Sequence, residues 1–86
     1  MITAFVFIDA APKHVATLGR AVADLEGVRE VYSVAGNEDL VAIVWVRDHD
    51  EIATVVTERI STMEGVVGTR TLIAFREYSK ADRDLA

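Results

Sequence analysis

Leu25-Glu26-Gly27-Val28 recurs 38 residues later as Met63-Glu64-Gly65-Val66. Each tetrapeptide combines an apolar helix end, a glycine that stops the helix, and a valine that begins a strand. The repetition indicates a duplicated βα unit. A generic helix-to-strand junction has the same composition and stays open as the alternative.

The segments around these junctions alternate between strand-like and helix-like patterns. The helices are predicted to bury one stripe each, with residues spaced three or four apart: Val15, Leu18, Val22 and Leu25, then Ile52, Val56, Ile60 and Met63. The predicted strands cover residues 2–9, 28–35, 40–46 and 66–77, with a hairpin turn at 36–39 and a possible capping box from Asp48 to Glu51. The order β-α-β-β-α-β predicts an α+β, ferredoxin-like sandwich, a four-stranded antiparallel sheet with two helices on one face.

The first and third predicted strands are apolar on both alternating faces, which is unusual for a sheet covered on one side only. The chain has 86 residues, of which 51% are hydrophobic, and a domain of this size has limited capacity to bury them. Two helices cover only one face, so the other face requires a second copy of the chain. The sequence therefore predicts a sheet-to-sheet dimer around Phe5, Phe7, Val41, Ile43 and Trp45.

Composition excludes several classes of function. A net charge of −5 and a pI near 4.8 argue against direct nucleic-acid binding. The absence of cysteine excludes disulfides and thiolate chemistry. The N-terminal segment lacks a basic region and reaches Asp9 too soon for a signal peptide or membrane span, so a cytoplasmic chain without membrane contact is expected.

The sequence contains no recognisable set of residues for catalysis, metal binding or cofactor binding. His14 and His49 have no partner at ligand spacing, and both are expected to be solvated surface residues. The serines lack a nucleophile-elbow context and the glycines form no phosphate loop. We therefore expect no catalytic residue, no cofactor and no metal site.

Two polar stretches are the candidates for ligand binding: the turn Gly36-Asn37-Glu38-Asp39 and the strand segment Gly68-Thr69-Arg70-Thr71. Together they offer carboxylate acceptors for an ammonium group, and hydroxyl and guanidinium donors for a carboxylate, as a free amino acid requires. The alternative is conformational, because turns are commonly acidic and glycine-rich and threonine is a good strand former.

Three motifs follow one another along the chain: Gly27-Val28, the Gly36-x-x-Asp39-Leu40 hairpin and Gly65-Val66-x-x-Thr69-x-Thr71. This ordered set resembles the effector-binding (RAM) domain of the Lrp/AsnC family of feast/famine regulators. The resemblance implies a RAM domain over residues 1–78, followed by a C-terminal tail at 79–86. A helix-turn-helix domain usually precedes this module, whereas this chain begins at the first strand, as in the stand-alone version.

The resemblance also implies a function, namely amino-acid sensing and oligomerisation without catalysis. Dimers in the family pair through their sheets and assemble into rings, commonly octamers, and amino acids bind where hairpin loops of neighbouring dimers meet. The residues carried over are Gly36, Asp39, Thr69 and Thr71, with Asn37 and Glu38 in the same loop. Many members of the family have an aromatic residue at the position of Glu38. An acidic side chain there favours a basic or polar effector, or the loss of effector binding. Full-length Lrp/AsnC regulators are the expected partners beyond the chain itself.

Two other interpretations share this order of elements. A dimeric α+β barrel enzyme of the small monooxygenase or isomerase type would need polar residues pointing into a cleft, for which Tyr32, Trp45 and His14 are the candidates. An ACT-like regulatory domain would differ mainly in how its subunits pair.

Overall fold

A computed structural model describes residues 1–80 of the chain, so most of the predicted tail at 79–86 lies outside the described residues. The elements are β1 (Ile2–Ala10), a 3₁₀ turn (Pro12–His14), α1 (Val15–Ala23), β2 (Val28–Ser33), β3 (Leu40–Val46), α2 (His49–Ala53), a π-helical segment that continues α2 (Thr54–Ile60), and β4 (Val66–Ile73). Their order confirms the predicted β-α-β-β-α-β chain.

The four strands form one antiparallel sheet in the order β2-β3-β1-β4. This is the ferredoxin-like arrangement, in which the first and third strands are central and the second and fourth are edges. β4 ends at Ile73 rather than at the predicted Glu77. Ile73 is opposite Ala4, so residues beyond 74 have almost no β1 left to pair with.

The two faces of the sheet differ in what covers them. Alternate residues of β1 and β3 point towards the helices and are fully buried, including Ala4, Val6 and Val44. Their neighbours point to the other face, where Phe5 and Trp45 expose 37% and 45% of their surface. The predicted two-sided apolarity of the central strands is therefore present, and in the single chain the outer face is uncovered.

The second helix departs from the predicted stripe because it widens into a π-helix. The fully buried positions include Val55 and Ile60, five residues apart, while the predicted Val56 is only half-buried. In a continuous α-helix, Arg59 would follow Val55 into the core. The wider turn, marked by the bond from Ser61 N–H to the Val56 carbonyl (2.9 Å), brings Ile60 inward instead. Arg59 is left to donate from Nη1 to the Glu26 carbonyl at 2.9 Å.

The repeated tetrapeptides form equivalent turns. The Val28 N–H donates to the Leu25 carbonyl (3.1 Å), and the Val66 N–H to the Met63 carbonyl (3.3 Å). Gly27 and Gly65 occupy the third position with φ of +91° and +96°, a conformation that glycine adopts without strain. The two predicted junctions are therefore structurally equivalent. However, α1 ends at Ala23, before the predicted stop at Gly27.

Each turn is also bonded to the opposite repeat. The Gly27 carbonyl accepts from Trp45 N–H at 2.9 Å, and the Gly65 carbonyl accepts from Ala11 N–H at 2.8 Å. A Cβ on Gly27 would lie 2.9 Å from Val55 Cγ2, and a Cβ on Gly65 would lie 2.6 Å from His14 Cβ. Both glycines are needed for space as well as for backbone conformation.

Candidate functional site

The hairpin between β2 and β3 lies at the end of the sheet where β1 ends and β4 begins. Gly36 and Asn37 form its exposed tip, with Gly36 at φ +133°. The base of the hairpin is closed by Val34 N–H, which donates to the Asp39 carbonyl at 3.0 Å. The exposed turn that the sequence predicts is therefore present, and this hydrogen bond closes its base.

Asp39 anchors this loop to β1. The pairing of β1 with β4 shifts register between Asp9 and Ala10, and the Ala10 N–H donates to Asp39 Oδ2 at 2.8 Å. The Asp39 N–H in turn donates to the Ile8 carbonyl at 3.2 Å. Asp39 therefore has a structural role, holding an irregular strand end, that sequence reasoning did not assign to it.

Glu38 lies beside Arg70 rather than standing alone. Arg70 Nη2 is 2.6 Å from Glu38 Oε1, and the Arg70 guanidinium lies 4.4 Å from the centre of the Phe7 ring. Arg70 starts on β4 and crosses β1 to reach the hairpin, on the outer face of the sheet. The sequence presents Arg70 as a possible donor between the two threonines. Only the pairing of the strands reveals its partner.

Thr69 and Thr71 point to the other side of the sheet. Their strand partners are Ile8 and Val6, which are fully buried on the helix side, whereas Arg70 pairs with Phe7 on the outer side. Because side chains alternate along a strand, the threonines and Arg70 face opposite ways. Within one chain, the structure does not bring the predicted threonines to the face on which Glu38 meets Arg70.

The residues considered for an enzyme do not converge. Tyr32 and Trp45 lie on the outer face, opposite Val41 and Thr3, while His14 is in the helix layer. The Tyr32 hydroxyl donates to the Glu30 carboxylate, and this bond, with the nearby negative charge, raises the pKa of Tyr32 above its ordinary value. These positions do not bring the three side chains together into one site.

His14 is not the solvated residue that the sequence predicts. Its side chain is 25% exposed and packs against Gly65, with Nε2 3.9 Å from Glu64 Oε1. It is covered because the 3₁₀ turn directs it at the second glycine junction. His49, in contrast, is exposed as expected. Within residues 1–80, no three His, Asp or Glu side chains cluster closely enough to hold a metal ion.

Two other surface clefts lie outside the hairpin loop, and one of them reaches Ser33 and Leu40 at the base of the hairpin. One is lined by Glu26, Arg47 and Arg59 at the opposite end of the sheet, and another by Lys13, Arg20 and neighbouring apolar residues between α1 and β2. Neither includes residues 36–39. No helix in the described part of the chain is long and apolar enough to cross a membrane.

Several solved structures share this fold. TTHA0845 from Thermus thermophilus is 51% identical, with a TM-score of 0.89, over 93% of this chain and 100% of that one. The feast or famine regulatory protein of M. tuberculosis, solved with L-methionine, is 30% identical with a TM-score of 0.76, over 93% of this chain and 54% of that one.

The sequence comparisons point to the same group. The transcriptional regulator LrpA of Pyrococcus horikoshii is 27% identical over 59 residues, which are 69% of this chain and 42% of LrpA. The chain thus spans less than half of the length of that regulator. The model of the Lrp/AsnC ligand binding domain matches residues 3–84. Because this match covers nearly all of the chain, the chain belongs to the Lrp/AsnC ligand-binding domain family.

Proposed function

We propose that this chain is a non-catalytic sensing module that binds a free amino acid and responds through its state of assembly. The observation that carries the proposal is the polar hairpin 36–39, fixed to β1 through Asp39 and exposed at its tip, in a member of a ligand-binding family. A carboxylate, an amide and free backbone groups at such a tip suit the ammonium and carboxylate groups of an amino acid.

The proposed assembly begins with a dimer formed by the outer sheet faces. Phe5, Trp45 and Leu72 are 37–48% exposed on this face, and exposed apolar side chains grouped on one face commonly mark an interaction surface. Pairing two such faces buries these side chains in an isologous interface. Further pairing of dimers into a ring, an octamer or similar, brings hairpins of neighbouring dimers together.

The strand geometry supports a site shared between chains. Thr69 and Thr71 face the helix side of the sheet, away from the contact of Glu38 with Arg70. A site that uses all of Gly36, Asn37, Glu38, Asp39, Thr69 and Thr71 therefore draws them from more than one chain. Such a site exists only in the assembled state, so an effector that occupies it stabilises assembly by its differential affinity.

We also propose that this acidic module, acting in the cytoplasm, affects transcription through full-length Lrp/AsnC regulators with which it assembles. With a net charge of −5, it has no excess of cationic side chains for direct DNA contact. Its influence on DNA binding would come from changing the assembly of its partners.

Calorimetric titration with each of the twenty amino acids tests the sensing function, and sedimentation with and without the binding amino acid tests the link to assembly. We expect saturable heat from at least one amino acid at millimolar concentration or below, and a larger sedimenting species in its presence. No heat from any of them would contradict sensing. Binding without a change in size would contradict the link to assembly.

A further inference from the structure

A groove separates α1 from the edge strand β2 on the helix side of the sheet, and we name it the α1–β2 groove. Its volume of about 580 Å³ is in the range of small-molecule sites. Most of the residues that line it are apolar, among them Gly19 on α1, Val31 on β2 and Leu40 on β3. Val31 pairs with the fully buried Ala42, which faces the helices, so pairing of the outer sheet faces does not cover this groove.

The charged residues that line the groove carry the same sign. They are Lys13 and Arg20, and among residues 1–80 no aspartate or glutamate lines it. The groove is therefore positive although the chain as a whole has a net charge of −5. Within the same part of the chain, neither cation forms an ion pair or a side-chain hydrogen bond. Both charges are available to an anionic ligand.

One end of the groove combines a cation with a hydroxyl group. Lys13 lies just beyond the end of β1, and Ser33 lies at the end of β2, opposite Leu40. Because side chains alternate along a strand, Ser33 is on the helix side of the sheet, as Val31 is. An ammonium group and a hydroxyl group can both donate to one carboxylate. Arg20 is further along α1, roughly 10 Å from Lys13 along the helix axis.

We propose that the α1–β2 groove binds a fatty acid, which is an apolar carboxylate without an ammonium group. Its carboxylate accepts from Lys13 and Ser33, and its hydrocarbon chain lies along Gly19 and Val31. The chain gains free energy by leaving water for this apolar surface. An α-amino acid is disfavoured, because its ammonium group would lie in a positive groove that has no acidic acceptor. The ligand and the site thus differ from those proposed at the hairpin.

Calorimetric titration with octanoate tests the proposal, and we expect saturable binding. Displacement of octanoate by hexanoate, hexanamide and norleucine then tests recognition of the head group, since these three share one carbon skeleton. Hexanamide lacks the negative charge, and norleucine adds an ammonium group beside the carboxylate. We expect hexanoate to displace octanoate at a concentration at least about tenfold lower than either analogue, the factor expected for a lost charge-assisted hydrogen bond. Displacement leaves any binding of norleucine at the hairpin out of the comparison.

Variants test where the fatty acid binds. Lys13→Met removes the cation at the carboxylate and should weaken octanoate binding at least about tenfold. Gly19→Leu fills the groove without changing its charge and should abolish binding; a Cβ at Gly19 makes only an ordinary contact, 3.6 Å from Leu40 Cδ2. Arg29→Met is the matched control and should bind as the wild type does, because Arg29 lies over the Trp45 ring on the outer face, 5.3 Å from its centre.

The outcomes decide the proposal independently of amino-acid sensing. Absence of saturable octanoate binding by the wild-type protein would overturn it. Unchanged binding by either Lys13→Met or Gly19→Leu would place the fatty acid elsewhere and would overturn it as well. Norleucine that displaces octanoate as effectively as hexanoate does would contradict the preference for a ligand without an ammonium group. Circular dichroism and thermal melting of each variant establish that it is folded.

Discussion

Replacing Gly65 with alanine should destabilise the protein severely, while the same replacement at Gly19 should stabilise it slightly. Gly65 has φ +96°, and a Cβ there would lie 2.6 Å from both Cβ and Cγ of His14. Gly19 lies within α1 at a negative φ, and its nearest neighbour to an added Cβ is Leu40 Cδ2 at 3.6 Å, an ordinary contact.

The magnitude follows from two separate costs. Forcing an L-residue into positive φ costs roughly 1–2 kcal/mol, and the overlap with His14 adds roughly 1–3 kcal/mol, as overpacking does elsewhere. Gly65→Ala should therefore lower the free energy of unfolding by about 2–5 kcal/mol. This is a large share of the ~5–15 kcal/mol typical of a domain. Gly19→Ala should raise it by about 0.5–1 kcal/mol, the helix preference of alanine over glycine.

Urea denaturation at equal protein concentration measures both changes, because the stability of an oligomer depends on concentration. We expect the midpoint to fall for Gly65→Ala and to rise for Gly19→Ala with little change in slope. A Gly65→Ala variant within about 0.5 kcal/mol of the wild type would show that the turn and His14 relax freely, and would refute the reasoning.

Three further predictions concern the hairpin, the outer face and a tyrosine. Asp39→Ala leaves the Ala10 N–H without its acceptor and should lower the free energy of unfolding, measured by urea denaturation, by about 1–3 kcal/mol. Asp39→Asn keeps an acceptor oxygen and should lower it clearly less. Equal losses for the two variants would contradict the anchoring role of Asp39. Phe5→Glu should give a folded monomer by sedimentation equilibrium, whereas a persistent dimer would place the interface elsewhere. The raised pKa of Tyr32 means that its phenol ionises at higher pH than a free tyrosine; Glu30→Gln should move the ultraviolet titration of this phenol to lower pH, and an unchanged titration would exclude Glu30 as the cause.

The fold could be predicted from local patterns because its main determinants are local. Alternation along β1 places Phe5 on one face and Val6 on the other, and the glycine at each helix end marks the following strand. The widened second helix was not predictable in this way. A regular α-helix would place Arg59, four residues after Val55, in the core, whereas the structure buries Ile60, five residues after Val55. This mismatch can be recognised only once the buried residues are known.

The candidate site was predictable as a set of residues but not as an arrangement. The sequence picks out Asp39 and Glu38 as turn residues, yet their partners, Ala10 and Arg70, are 29 and 32 residues away. The bond to Ala10 depends on a register shift in β1, and the contact with Arg70 depends on two strand pairings. Such contacts follow from strand register, which single residues do not encode.

The hydrogen bonds that link each glycine turn to the opposite repeat also bear on how the chain folds. Neither β-α-β half of the chain contains the donor that bonds to its own turn carbonyl: Gly27 accepts from Trp45, and Gly65 accepts from Ala11. Within residues 1–80, the central strand β1 likewise pairs only with strands of the second half. We expect the two repeats to unfold in a single cooperative transition, and fragments divided within the hairpin to acquire stable structure only when mixed.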